Sequence, residues 1–203
     1  MEIFAKLLNH RKQKLSGKTE TSELLATAEI PKDDFERIHL HNDFLAVVFD
    51  RPASPGNLGT IIRSGDAFDI NGIVVTGHAV DVYDPETISA STGSLFALPI
   101  VRKPSHTNLL PWFAELREQL GELQIIGTDE KGESSVKDAD FKKPTILLVG
   151  NETWGLSAAY RELCSKTVRI PMQGSASSLN VASATSIILY EAYCQRRTNS
   201  SES

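Results

Sequence analysis

Blocks of apolar and polar residues along the chain predict an α/β fold. Short apolar runs such as 44–50 and 145–152 have the length and composition of buried strands. Amphipathic stretches with helical spacing lie between such runs. Strands are predicted at 44–50, 72–77, 98–102, 123–129, 145–152 and 166–172, and helices at 58–68, 84–96, 108–121, 156–164 and 179–197. This alternation predicts a mostly parallel sheet that helices cover on both faces.

The first forty residues differ from the rest and predict a short helical N-terminal extension. Residues 2–10 and 22–30 have helical spacing, and Pro31 ends the second segment. The basic run between them either meets nucleic-acid phosphates or is a solvated loop, and it consists of Arg11, Lys12, Lys14 and Lys18. The predicted organisation is an extension at 1–42, a main domain at 43–197 and a disordered tail at 198–203.

Composition favours a cytoplasmic protein. A chain of 203 residues that is 40% hydrophobic and 23% charged fits one globular domain with an appendage. Its apolar runs are too short to cross a bilayer, and the N-terminus does not resemble a signal peptide, so no membrane is predicted. The two cysteines, Cys164 and Cys194, have no metal spacing and favour free thiols in a reducing compartment.

The histidine content and the net charge bear on metal binding and on nucleic-acid binding. The five histidines show no convincing ligand spacing, so no metal site is predicted. A net charge of −5 argues against a large nonspecific nucleic-acid footprint. It still allows RNA binding, because a local basic patch is sufficient for that.

Three polar loops follow predicted strands, at 51–57, 150–155 and 171–178. Parallel sheets bind their ligands at the carboxyl ends of strands, so these loops are the candidate site. They contain neither the G-x-G-x-x-G fingerprint of dinucleotide binding nor a Walker loop. A ligand there would be held by exposed loop backbone, which suits an adenine or an amino-acid group.

Three longer segments make a more specific match. They are NLGTIIRSGDAF (57–68), LLVGNETWGLS (147–157) and IPMQGSASSLNVASATSIILYE (170–191). In order and spacing they resemble the three signature motifs of the SpoU (TrmH-like) family of RNA 2′-O-ribose methyltransferases, in the SPOUT superfamily. The resemblance covers about 44–195, and it implies S-adenosyl-L-methionine as the cofactor and RNA as the substrate. It also implies a homodimer whose active sites use both subunits, and a C-terminal deep trefoil knot that forms the cofactor site.

The resemblance also implies site residues. Arg63 matches the catalytic arginine of the family, where a guanidinium would stabilise charge developing on the ribose oxygen rather than act as a base. The implied catalytic residues are Arg63, Asn57, Glu152, Ser178 and Asn180, and the implied cofactor-binding residues are Leu95, Gly150, Asn151, Ile170, Met172 and Leu179. Structural alternatives stay open: a surface ion pair for Arg63, a helix-start carboxylate for Glu152, and helix capping for Asn57, Ser178 and Asn180.

The chain departs from the family pattern at two positions and leaves one aromatic residue unassigned. Gly65 stands where the family commonly has alanine, and Asp69 stands where it commonly has glycine. Both substitutions put the local helix geometry in question. Trp154 either stacks on a base or packs at a dimer contact.

The leading hypothesis is methylation of a ribose 2′-hydroxyl in structured RNA. Residues 91–99 look most like members that act on ribosomal RNA, whereas the short extension favours transfer RNA, and ribosomal RNA is preferred. A noncatalytic RNA-binding or ribosome-assembly factor that retains the fold is the alternative. A methyltransferase for a protein or a small molecule is the third possibility.

Overall fold

The computed structural model describes residues 28–197. Contacts divide the chain into two units, Met1–Lys32 and Asp33–Ser203. Only 28–32 of the first unit are described, and they lie in neither helix nor strand. The predicted helix at 2–10, most of that at 22–30, the basic run and the tail at 198–203 therefore fall outside the described residues.

The second unit is built on a seven-stranded sheet with the strand order β3-β2-β1-β6-β4-β7-β5. Its strands are β1 (Leu45–Asp50), β2 (Gly72–Thr76), β3 (Ile100–Lys103), β4 (Gln124–Thr128), β5 (Ser134–Ser135), β6 (Thr145–Val149) and β7 (Lys166–Arg169). All neighbouring strands pair in parallel. Every residue of β1, β2 and β6 is buried, as expected of strands covered on both faces. The predicted parallel α/β sheet is confirmed.

Helices pack on both faces of this sheet. They are α1 (Pro55–Ala67), α2 (Pro85–Ser91), α3 (Leu110–Leu120), α4 (Ala158–Leu163) and α5 (Val181–Arg197), with 3₁₀ turns at Phe35–Arg37, Ser94–Phe96, His106–Leu109 and Val136–Asp138. One apolar cluster joins α1 and α5 to the sheet, and a second cluster joins α3 and α4 to it. Alternate residues of β1 enter the two clusters because successive strand side chains point to opposite faces. Within 28–197, no helix has the length and apolarity to cross a membrane.

The helix predicted at 84–96 is shorter than expected, so the prediction of one continuous helix is wrong. Asp84 caps α2 by accepting the N–H of Glu86 at 2.8 Å, as predicted. The helix then breaks because Thr92 and Gly93 have φ of 48° and 100°. Glycine adopts such positive φ values readily, whereas a β-branched threonine does so rarely. The strand predicted at 166–172 is also shorter, since β7 ends at Arg169.

The structure explains both departures from the family pattern in α1. Gly65 is buried, and a Cβ atom there would lie 2.7 Å from Cδ1 of Ile70 and 3.0 Å from Cδ2 of Leu98. Those side chains therefore fill the space that an alanine methyl would occupy. Asp69 follows the helix with φ of 56°, the left-handed conformation in which glycine is favoured and aspartate is tolerated.

The last turn of α5 is attached to the opposite end of the sheet from the candidate loops. The Arg196 guanidinium donates to the carbonyl oxygens of Phe141 at 2.8 Å, Phe44 at 3.1 Å and Lys143 at 3.3 Å, and also to that of Asp43. Burial lowers the pKa of Arg196. These bonds fix the direction of α5, and so the position of its N-terminus near the site.

Candidate functional site

The loop after β1 delivers the first motif to the carboxyl edge of the sheet. Helix α1 begins one residue after Ser54, whose Oγ accepts the N–H of Asn57 at 3.3 Å, and Pro55 occupies its first turn. Asn57 therefore lies inside the first helical turn. The interpretation of Asn57 as the N-cap is wrong, because Ser54 holds that position and leaves the Asn57 side chain for other contacts.

The loop after β6 forms a tight turn at 151–155. The side chain of Asn151 accepts the backbone N–H groups of Thr153 at 2.9 Å and Trp154 at 3.2 Å. The backbones of Asn151 and Gly155 exchange hydrogen bonds of 3.1 and 2.9 Å. The Asn151 Nδ2 group also donates to the carbonyl oxygen of Arg51 at 2.7 Å. These bonds fix the turn and join it to the loop after β1.

Glu152 makes a second connection between these two loops. Its carboxylate accepts the backbone N–H groups of Ala53 at 2.9 Å and Ser54 at 3.1 Å, and the Asn57 amide at 3.3 Å. The N–H groups lie at the start of α1, where the helix dipole favours a negative charge. Glu152 thus binds the N-terminus of a helix, although that helix is not the one that follows it in sequence.

Asn180 brings the third motif to the same place. Its Oδ1 atom accepts the N–H groups of Ala182 at 2.9 Å and Ser183 at 3.2 Å, so it caps α5 as predicted. Its Nδ2 atom donates to Oδ1 of Asn57 at 3.0 Å. The Asn57 amide therefore bonds to Glu152 on one side and to Asn180 on the other. We call these three side chains the amide bridge.

A cavity of about 350 Å³ lies beside the amide bridge. Seven of the residues predicted for the site line it: Gly150, Asn151, Glu152, Ile170, Met172, Ser178 and Leu179. Ile170 is half-buried, and all residues of 171–180 are exposed. The three motifs thus share one site, which they reach from distant parts of the sequence.

Four of the predicted residues do not line this cavity: Asn57 and Asn180, which belong to the amide bridge beside it, and Leu95 and Arg63. Leu95 is 8% exposed and belongs to the core cluster that includes Ile61 and Ile62 of α1. Its role at the cofactor stays a prediction. Arg63 is exposed on α1 and does not line the cavity of its own chain. Its guanidinium makes no hydrogen bond or ion pair with any residue of 28–197, so no surface ion pair accounts for it.

Sequence reasoning missed one acidic edge of the cavity. Thr128, Asp129 and Glu130 line it at the end of β4. Asp129 forms an ion pair with Arg161, whose Nε atom donates to the carbonyl oxygen of Leu156 at 3.2 Å. The position of Asp129 after a strand was the signal that could have found it. Among residues 28–197 no three His, Cys, Asp or Glu side chains are grouped to hold a metal ion.

Buried polar contacts lie next to the site, at the ends of β1 and β2. Asp50 is 2% exposed and accepts Nε of Arg51 and the N–H of Ser157, at 2.9 and 3.3 Å. The Tyr160 hydroxyl donates to Oγ1 of Thr76 at 2.6 Å. Burial raises the pKa of Tyr160 to about 12, although the bond to Thr76 opposes that shift. These groups hold the ends of β1 and β2 against the start of α4.

Comparison with known proteins identifies the family of this chain. A 23S rRNA (uridine(2479)-2'-O)-methyltransferase of Streptomyces viridochromogenes is 55% identical over 174 residues, which are 86% of this chain and 61% of that protein. The crystal structure of the SpoU methyltransferase AviRb from that organism, in complex with AdoMet, matches with a TM-score of 0.81 and covers 84% of this chain and 67% of its own.

An AdoMet-bound rRNA methyltransferase from Sinorhizobium meliloti is 36% identical, with a TM-score of 0.72 over 84% of this chain and 62% of its own. The chain spans about three fifths of the length of the first two curated relatives it matches. Residues 44–190 match the model of the SpoU rRNA Methylase family. This match extends over most of the sequence and includes all the residues of the amide bridge, so the chain belongs to the SpoU rRNA methylase family.

Proposed function

We propose that this chain transfers a methyl group from S-adenosyl-L-methionine to a ribose 2′-hydroxyl of structured RNA, with ribosomal RNA favoured over transfer RNA. The observation that carries the proposal is the amide bridge, which joins all three motifs beside one cavity. The 55% identity to a 23S rRNA 2′-O-methyltransferase supports the choice of ribosomal RNA.

The cavity has the chemistry that S-adenosyl-L-methionine requires. Met172 and Leu179 line it while 37% and 40% exposed, so they offer apolar surface to a flat adenine. Asp129 and the backbone of Gly150 offer polar groups for hydroxyls and an ammonium. When bound, the cofactor would supply a methyl group on a sulfonium. The ribose oxygen would take that methyl group as its bond to sulfur breaks, a neutral thioether would leave, and the hydroxyl proton would pass to solvent.

The residues have different roles in this proposal. Asn57, Glu152 and Asn180 are positioning residues that keep the three loops in one arrangement before RNA arrives. Arg63 supplies a fixed positive charge that stabilises the developing negative charge on the ribose oxygen, and its planar group can also hold a neighbouring phosphate. Ser178 lines the cavity and is exposed, where it can bond to the cofactor or the ribose.

Calorimetry and a methyl-transfer assay test this function. The full chain is titrated with S-adenosyl-L-methionine, then incubated with labelled cofactor and an in vitro transcript of 23S rRNA or total transfer RNA. We expect binding, and transfer that blocks alkaline cleavage at one nucleotide, as a 2′-O-methyl group does. Absence of cofactor binding would favour the noncatalytic RNA-binding factor. Binding without RNA methylation would favour a protein or a small molecule as the substrate.

We further propose a homodimer in which Arg63 of one copy meets the cavity of the other. Arg63 does not line its own cavity, and Ile187 and Tyr190 of α5 are 42% and 56% exposed. Apolar surface of this kind fits contact with a second copy. We also propose that α5 reaches its place through a trefoil knot, because the family fold implies one.

Mixed dimers test the shared site. Arg63→Ala and Gly150→Ala chains are each expected to be inactive alone, since one lacks the charge and the other the cavity. If Arg63 acts in the second copy, refolding them together restores about a quarter of wild-type activity, because half the dimers are mixed and each has one complete site. No recovery, with mixed dimers shown by mass, would contradict sharing.

The remaining proposals concern location and organisation. Cys164 and Cys194 form no disulfide, which suits the reducing cytoplasm, where we place the protein. Burial raises the pKa of Cys164 to about 11, so that thiol stays protonated and unreactive. The division into an extension at 1–42 and a methyltransferase domain at 43–197 also remains a proposal.

A further inference from the structure

The turn at 151–155 displays one side chain that the proposed reaction leaves unused. Trp154 is 78% exposed, whereas the other tryptophan of the chain, Trp112, is 4% exposed in the core. Trp154 also lines the cavity. An indole is among the largest apolar surfaces that a side chain offers, so one left exposed at a ligand cavity indicates a partner that covers it.

The backbone that carries Trp154 is fixed before any partner binds. Its N–H group bonds to Asn151 at 3.2 Å, and Asn151 in turn bonds to the loop after β1 through Arg51. The backbone of Gly155, with φ of 66°, closes the turn on the other side. An aromatic ring on such a fixed turn loses little conformational freedom on binding, which favours a recognition role.

Trp154 also lies close to the place where the ribose must bind. It is two residues from Glu152, a span of at most about 7 Å between Cα atoms. Glu152 bonds to Asn57 in the amide bridge. A ribose placed beside the amide bridge would therefore put its own base, or that of a neighbouring nucleotide, within reach of the indole.

We propose that Trp154 stacks on a nucleobase of the RNA substrate and thereby selects an unstacked nucleotide for methylation. The inference rests on the proposed function, since it takes RNA as the substrate. Stacking on an aromatic side chain requires only a flat π face, which every base has. Trp154 therefore favours a base that has left its helix, without reading which base it is.

A second copy of the chain is the competing partner, and the geometry of α5 argues against it. Val181, Ala184 and Ile188 line the cavity, whereas Ile187 and Tyr190 are exposed. At 3.6 residues per turn these two sets lie on different faces of the helix. The apolar surface of α5 that suits a second copy therefore lies on a different face from the cavity. The group that the proposed dimer brings to the cavity is the charged Arg63, not this apolar surface.

Three substitutions separate stacking from simple apolar contact. Methyl transfer to the 23S rRNA transcript is measured for the full wild-type chain and for Trp154→Ala, Trp154→Leu and Trp154→Phe. Phenylalanine keeps a flat aromatic face, and leucine keeps only apolar bulk. We expect alanine and leucine to raise KM for the transcript about tenfold, and phenylalanine to stay near wild type. Because Trp154 lines the cavity, cofactor affinity is measured beside KM, and we expect it to change less than KM does. We expect oligomer mass to stay the same in all variants.

Several results would overturn the proposal. They are an unchanged KM in Trp154→Ala, a leucine variant as good as phenylalanine, a change confined to cofactor affinity, and a loss of oligomer mass that assigns Trp154 to a contact between chains. If the wild-type chain methylates no RNA, the proposed function fails. The stacking proposal is then tested on its own by measuring RNA binding. The fluorescence that Trp154→Phe removes should be quenched by a single-stranded RNA of about ten nucleotides, and no quenching would reject stacking.

Discussion

Two polar side chains of one motif, toward opposite ends of helix α1, differ in their contacts. At the N-terminal end, Asn57 is half-buried and bonds through its amide to both Glu152 and Asn180. Six residues later, Arg63 is exposed and has no hydrogen-bond or ion-pair partner within 28–197. One side chain joins the loops of this chain, and the other is left for a group outside it.

This difference separates preorganisation from charge stabilisation. The N-terminal end with Asn57, here called the held end, keeps three loops in place, which reduces the entropy lost when a substrate binds. The part of the helix with Arg63, here called the open end, keeps a cation that forms no ion pair with a carboxylate. Its field can therefore act where negative charge develops. Substitutions at the held end should therefore change stability and binding. Substitutions at the open end should change the reaction alone.

The largest effect is expected at the open end. Arg63→Ala should lower kcat by about 10²–10³-fold, because it removes the charge that stabilises the ribose oxygen. Cofactor affinity should stay within several-fold, and the free energy of unfolding should change by less than about 0.5 kcal/mol, because the side chain is exposed. Single-turnover kinetics and denaturant titration measure these quantities. Arg63→Lys keeps the charge without the planar guanidinium, so its kcat should lie between those of the wild type and Arg63→Ala. Near-normal turnover of the alanine variant on its RNA would disprove the role.

The next effect is expected beside the held end, at the start of the turn. A Cβ atom on Gly150 would lie 2.8 Å from the Gly155 Cα and closer still to the backbone of Leu156. Gly150→Ala should therefore destabilise the fold by about 2–3 kcal/mol and weaken cofactor binding. Gly174→Ala is the control, since a Cβ there meets no atom within 4 Å. Denaturant titration and calorimetry should separate the two variants, and equal behaviour would contradict the close approach.

A smaller effect concerns the polar contacts below the site. The folded-state pKa of Tyr160 is raised from 10.0 to about 12, so its neutral form is favoured by folding. The resulting stability of about 2 kcal/mol is present below pH 10 and is lost as pH rises toward 12. Tyr160→Phe should flatten this loss in urea titrations between those pH values. Cys164→Ser serves as a comparison. Burial raises the pKa of that thiol from 9.0 to about 11, so this variant should flatten the loss of stability between pH 9 and pH 11 instead. An unchanged slope in Tyr160→Phe would contradict the assignment.

The smallest effect is expected just beyond the C-terminal end of α1. Asp69 has φ of 56°, a conformation that glycine adopts without strain. Asp69→Gly should therefore raise the free energy of unfolding by about 0.5–1 kcal/mol, with methyl transfer unchanged. Asp66→Gly, which places glycine inside the helix, should instead lower stability. A stability loss in Asp69→Gly would show that the aspartate side chain makes a contact worth more than the strain.

Local sequence signals were sufficient for most elements of the sheet. The apolar runs that became β1, β2 and β6 predict buried strands, because a parallel sheet covered on both faces requires continuous apolar residues. They were insufficient at Thr92, where a threonine and a glycine in left-handed conformation break a helix that the spacing favours. They also missed Asp129, because a single carboxylate after a strand is common.

The sequence by itself determined the type and order of the elements, the three loops at the carboxyl edge and the family motifs. Only the tertiary structure decided that Ser54 caps α1, that Asn57 bonds to Glu152 and Asn180, and that the Arg63 side chain has no partner among the described residues. The physical reason is range. Helix and strand propensities depend on residues a few positions apart, whereas these bonds join residues 95 and 123 positions apart. Such separations close only when the strand order of the sheet brings the loops together.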